Sequence, residues 1–97
     1  MVNVAVLGYG TIGSGVVTVL SQNREIIKEH AGDEVLVSHV LDLRDFPGDP
    51  VQEILVYDYR EIADDPEIDI VVETMGGVHP AFEFVAEALR QGRSVCS

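Results

Sequence analysis

The stretch that most constrains this chain is its first fifteen residues. Residues 2–7 read Val-Asn-Val-Ala-Val-Leu, a short apolar run rich in β-branched residues, which is the pattern of a buried strand. The run breaks at Gly8, and apolar spacing of the helical kind begins at about Ile12. Between them lies Gly8-x-Gly10-x-x-Gly13. Each glycine removes one obstruction. Gly8 lets the chain turn sharply off the strand, Gly10 lets an anionic group approach the backbone, and Gly13 lets the helix pack close to the strand it has just left. The amides of Thr11, Ile12 and Gly13 open the helix without acceptors of their own. The helix start adds about half a positive charge. The product is an anion site built without a basic side chain, with the spacing that suits the pyrophosphate of a dinucleotide.

That local site matters because the chain as a whole is acidic, with a formal net charge of −11. The overall field opposes an anionic ligand, weakly and through a salt screen, so the amides must carry the binding. The same acidity argues against nucleic acid and anionic membrane surfaces as partners. A length of 97 residues is one small domain. A two-halved dinucleotide fold usually takes more, roughly 150 residues. The single cysteine, Cys96, allows no internal disulfide and suits a reducing compartment. No apolar run reaches the length of a membrane span, and the first is strand-like rather than a leader. The expectation is a cytoplasmic protein.

Further along, periodicity predicts a helix over residues 12–30, with Ile12, Val16, Val19, Leu20, Asn23 and Ile27 facing inward. Gly32 is a natural left-handed stop. A second strand follows over residues 34–41, interrupted by Ser38 and His39, the latter read as a strand histidine with a satisfied hydrogen bond. Residues 46–50 form a Pro/Gly loop, residues 54–57 a short third strand, and Asp58 to Glu61 has capping-box spacing for a short helix. The acids of this region read as a cap and a wet face, not as a metal site. Residues 68–73 form a nearly all-apolar fourth strand, as a parallel strand covered on both faces should be. A Gly-rich loop comes next, then a helix opened by His79-Pro80, with Phe82, Val85, Ala86 and Leu89 as its inner stripe. Residues 93–97 begin a fifth strand, in which Cys96 should be buried.

Strand and helix therefore alternate. The fold class is α/β: a Rossmann-like doubly wound parallel sheet of about five strands, in the order 3-2-1-4-5, cut short after the fifth. In such sheets ligands bind beyond the carboxyl ends of the strands. The second strand ends in Asp42-Leu43-Arg44. An acid there accepts from the 2′-hydroxyl of an adenosine ribose, whereas an arginine accommodates a 2′-phosphate. Both are present, so the sequence leaves NAD and NADP open.

The glycine loop Gly-Tyr-Gly-Thr-Ile-Gly-Ser-Gly-Val-Val resembles the start of homoserine dehydrogenases. So do residues 69–81, Asp-Ile-Val-Val-Glu-Thr-Met-Gly-Gly-Val-His-Pro-Ala, and the ending Gly-Arg-Ser-Val-Cys-Ser. The loop over residues 44–50 is similar to versions of that enzyme from anaerobic bacteria. The resemblance implies an NAD(P)-dependent oxidoreductase that interconverts aspartate semialdehyde and homoserine, in the supply of threonine and methionine. By the same resemblance Tyr9, Gly10, Thr11, Ile12 and Gly13 line the pyrophosphate, and Arg44 meets the adenosine 2′-phosphate when NADP is used; the glycine spacing and the strand end add Gly8 and Asp42 to the cofactor-binding residues. Met75, Gly76 and Ser97 lie near the nicotinamide half. It implies no catalytic residue within these 97 positions. Family members continue with a substrate and dimerisation domain, so the expectation is a cofactor-binding half that does not turn over substrate alone, from a homo-oligomeric parent.

Two other readings fit the same glycine spacing. One is a different two-domain dehydrogenase; the other is a regulatory module that senses NAD. Arg44 and the Met-Gly-Gly loop favour a dehydrogenase over the regulatory module, and leave the two dehydrogenase readings open.

Overall fold

A computed structural model describes residues 1–75 and 81–96. The central layer is a five-stranded, all-parallel sheet in the order β3-β2-β1-β4-β5, the order expected. Its strands are β1 (Val2–Leu7), β2 (Val35–Leu41), β3 (Leu55–Val56), β4 (Ile68–Glu73) and β5 (Ser94–Cys96). The helices are α1 (Thr11–Gln22), α2 (Arg24–Ala31), α3 (Arg60–Ala63) and α4 (Ala81–Arg90), with a 3-10 turn at Pro50–Ile54.

The central strand shows why both faces of the sheet must be covered. Side chains alternate along β1. Val4 and Val6 face a cluster that includes Val40 and Val51, with Val16 and Val17 of α1 packed against it. Ala5 and Leu7 face the opposite cluster, which holds Tyr59, Ile62, Val71 and Ala88. Leu7, Val6, Val40, Val71 and Ile62 are wholly buried. At about 25 cal/mol per Å² of apolar surface, such residues each contribute roughly 1.5–3 kcal/mol relative to exposure.

Several local expectations need correction. The first helix is not continuous: it breaks at Asn23, whose φ of −108° and ψ of 22° leave the helical region. The Asn23 side-chain amide donates to the Val19 carbonyl at 2.9 Å, and the Asn23 backbone N–H donates to the same oxygen at 3.0 Å. A short amide side chain competing for a helix carbonyl is a known way to end one. The inner stripe also shifts. Ile12 and Val19 are exposed, and the half-buried positions are Val16, Val17 and Leu20. On α4, Leu89 is exposed, while Ala88 is buried and Phe84 stacks on Tyr59 with ring centroids 4.3 Å apart. Phe82 and the His79-Pro80 start lie outside the described side chains.

Cys96 is exposed, against expectation. β5 pairs with β4 at the edge of the sheet, and its pleat turns Val95 inward and Ser94 and Cys96 outward. Ser38 and His39 do interrupt β2, by a bulge: Val4 pairs with Val37 and Ala5 with His39, leaving Ser38 unpaired. His39 is satisfied there, with Ser38 Oγ 2.9 Å from its Nδ1. The capping box expected at Asp58 to Glu61 does not form: the N-cap of α3 is Tyr59, without a side-chain cap bond, and the Asp58 carboxylate accepts from the Arg60 N–H at 2.9 Å.

Candidate dinucleotide site

Three segments that lie far apart in the chain meet at the carboxyl ends of β1, β2 and β4. Gly8, Tyr9 and Gly10 come from the first, Asp42, Leu43 and Arg44 from the second, and Thr74 and Met75 from the third. Together with Tyr57, Tyr59 and Phe84 they line a cleft of about 600 Å³. The cleft sits where ligands bind in open α/β sheets.

The glycines behave differently from one another, and in the way their spacing predicts. Gly8 has φ +98°, and a Cβ there would lie 3.0 Å from Met75 Cγ and 3.2 Å from Thr74 Oγ1. Its N–H donates to the Leu41 carbonyl, so the turn leaves β1 still tied to β2. Gly13 is buried, and a Cβ on it would fall 2.0 Å from the Gly8 carbonyl oxygen. Gly10 is the opposite case. Its backbone is ordinary extended chain, and a Cβ would meet no atom within 4 Å. Space is kept open at Gly10 and closed at Gly13.

Gly10 caps α1 without a side chain to offer. The first described bond of the helix runs from the Ser14 N–H to the Gly10 carbonyl at 2.9 Å. The amides of Thr11, Ile12 and Gly13 therefore precede the helical ladder and remain as donors for an anion. An open position at Gly10 beside these amides fits a pyrophosphate.

At the end of β2, Asp42 is the most heavily bonded side chain of the site. Its Oδ2 accepts from the Tyr9 N–H at 2.9 Å and from Arg44 Nη2 at 2.8 Å. Its Oδ1 accepts from the Arg44 N–H and from Arg44 Nε, both at 3.0 Å. The Arg44 guanidinium first, and the backbone donors after it, hold the Asp42 carboxyl well below the usual carboxylate range, against the opposing effect of burial. Arg44 also lies over the Phe46 ring, 5.3 Å from its centroid.

Two structural roles were not visible in the sequence. The Thr74 hydroxyl lies 2.9 Å from the Leu7 carbonyl and 3.1 Å from that of Gly8, so the end of β4 is pinned to the glycine turn. The only sequence signal was its place between Glu73 and the Met-Gly-Gly loop. The Tyr9 phenol donates to Asp49 at 3.0 Å, and its ring meets Phe46 edge-on at 4.8 Å. Burial, then Asp49, pushes that phenol above its usual range. Of the expected site residues, Gly76 and Ser97 lie outside the described residues. Thr11, Ile12 and Gly13 form the adjoining first turn of α1 rather than the cleft lining.

The fold and the cleft define a dinucleotide-binding α/β domain. Comparison with known proteins narrows this. Residues 8–97 match the family model described as homoserine dehydrogenase, NAD binding domain, and the chain belongs to that family. It is 36% identical over 100 residues to the homoserine dehydrogenase of Lactococcus lactis, covering 97% of this chain and 23% of that protein. It is 38% identical to that of Methylobacillus glycogenes, covering 97% of this chain and 24% of that one. A crystal structure of the S. aureus enzyme superposes with a TM-score of 0.88 at 35% identity, covering 97% of this chain and 24% of its own. That of the Thiobacillus denitrificans enzyme gives 0.83 at 38% identity, covering 97% and 22% respectively. The chain thus spans about a quarter of the length of these relatives. As a member of this family it is an NAD(P)-binding module. Among the described residues no helix is long and apolar enough to cross a membrane.

Proposed function

We propose that the cleft holds an NAD(P) dinucleotide in one orientation. The pyrophosphate rests on the turn at Gly8, Tyr9 and Gly10 and on the amides of Thr11, Ile12 and Gly13. The adenosine ribose lies against Asp42 and Arg44. The nicotinamide half points toward Met75, with Gly76 and Ser97 beside it. The observation that carries this reading is the convergence of the glycine turn, the end of β2 and the end of β4 on a single cleft.

The protein that contains this domain interconverts aspartate semialdehyde and homoserine on this reading. The nicotinamide supplies the hydride chemistry when bound. These 97 residues bind and orient the cofactor. The substrate and the assembly into a homo-oligomer involve parts that the relatives carry beyond the matched quarter. A cytoplasmic setting agrees with a lone thiol and with a soluble cofactor.

The test pairs two measurements on the 97-residue chain. NADPH fluorescence should change on titration, and homoserine with NAD or NADP should give no growth of absorbance from reduced cofactor. Turnover by this chain alone would contradict the division of labour. Absence of any nucleotide effect would remove the site. An NAD-sensing module would instead show nucleotide-dependent assembly, and no homoserine oxidation by the full-length protein.

A further inference from the structure

The turn between β1 and α1 has glycine on both sides of Tyr9, and glycine carries the largest entropy cost of being ordered. Gly8 is tied down: its N–H donates to the Leu41 carbonyl, and its own carbonyl lies 3.1 Å from the Thr74 hydroxyl. Gly10 has open space where a side chain would stand. Between the two, the described bonds are those of Tyr9. Its N–H donates to Asp42 Oδ2 at 2.9 Å and its phenol to Asp49 Oδ2 at 3.0 Å. Its ring meets the Phe46 ring edge-on, with centroids 4.8 Å apart.

Asp49 is a firm anchor because it is held from elsewhere. Its Oδ1 accepts from the Val51 N–H at 2.9 Å and so caps the turn at Pro50–Ile54. Its own N–H donates to the Phe46 carbonyl at 3.0 Å, and the Phe46 N–H donates to Gln52 Oε1 at 2.7 Å. Residues 46–52 thus form a loop closed on itself, and Val51 sinks it into the core. Burial and Asp49 push the Tyr9 phenol above its usual range, so at neutral pH it is a protonated donor to a carboxylate, one of the stronger kinds of hydrogen bond.

Resting on the dinucleotide reading, we propose that the Tyr9 side chain is a positioning residue: locked to Asp49 and Phe46, it fixes the peptide between two glycines in the form that receives the pyrophosphate, and so couples the loop at residues 46–50 to nucleotide binding. The phenol touches no nucleotide. It acts by cutting the ordering cost that binding would otherwise meet. The pyrophosphate is common to NAD and NADP, so the contribution is the same for both. The coupling is reciprocal, and a bound nucleotide tightens the loop in turn.

The experiment is a calorimetric titration with NAD and with NADP of the chain, Tyr9→Phe, Asp49→Ala and the double variant, each well below its own thermal midpoint. Tyr9→Phe keeps the ring and removes only the donor. It should weaken both nucleotides by one factor, about threefold to tenfold. Asp49→Ala should do the same, and adding it to Tyr9→Phe should weaken binding no further. A residue that only stabilised the fold would lower the midpoint and leave the affinity of the folded protein unchanged. Hydrogen exchange on the parent chain needs no variant: either nucleotide should slow the Val51 amide more than the Glu67 amide, which Asp65 caps beside the start of β4. Parent-like affinity in folded Tyr9→Phe, weakening of one nucleotide alone, losses that multiply in the double variant, or equal slowing at Val51 and Glu67 would each overturn the proposal while the parent chain still binds. If neither nucleotide binds the parent chain, the dinucleotide reading falls and the positioning role with it.

Discussion

The carbonyl oxygen of Gly8 occupies the place where a side chain on Gly13 would have to go. A Cβ built on Gly13 stands 2.0 Å from that oxygen and 2.9 Å from Thr74 Oγ1. The glycine turn and the first turn of α1 are therefore in backbone contact, and the helix start is held against the strand end by the absence of one carbon. Gly13→Ala must push the helix away or break the turn. Overpacking of this kind costs about 1–3 kcal/mol, and more where backbone is the obstacle. Urea denaturation should show a loss at or above the top of that range, with the nucleotide site weakened as well.

Thr74 holds the same junction from the other side. Its hydroxyl lies within hydrogen-bonding distance of the Leu7 and Gly8 carbonyls. Thr74→Val keeps the shape and removes the donor, so stability should fall by about 1 kcal/mol. Thr74→Ser restores the donor and should recover most of that loss. Chemical denaturation of the three proteins checks both statements.

Much of this architecture could be read directly from residue patterns. The strands and the placement of Asp42 and Arg44 at one strand end follow from short, nearly continuous apolar runs and turn residues, and the strand order from the fold class that their alternation with helices defines. What stayed hidden depends on contacts between distant residues or on competition for one atom. The Asn23 break turns on a side-chain amide reaching the Val19 carbonyl, which an apolar period averages over. The exposure of Cys96 depends on which face of an edge strand the pleat presents, and a three-residue strand carries too few positions to fix it. The inward turn of Phe84 rather than Leu89 is set by Tyr59, a residue of another element. The Tyr9–Asp49 bond spans forty residues. No local pattern announces it.

Asp42 gives the fold an acid-sensitive element. Its carboxyl is held below its unfolded value of about 3.9, chiefly by Arg44. For a group lowered on folding, the stabilisation is complete above the unfolded pKa and is lost as pH falls through the folded one. Stability measured from pH 7 downward should stay flat with respect to this group until about pH 4 and then fall. In Asp42→Asn that part of the acid limb should be missing, and the variant should already be less stable at pH 7. An acid limb identical to that of the parent chain would show that Asp42 does not contribute to it.

The central claim is that open backbone at Gly10 receives the pyrophosphate. Gly10→Val tests it most directly, because its backbone is already extended and a Cβ there touches nothing within 4 Å. The account predicts a thermal midpoint close to that of the parent chain, together with loss of both NAD and NADP binding by calorimetric titration. A folded Gly10→Val protein that binds either nucleotide as tightly as the parent chain would contradict it.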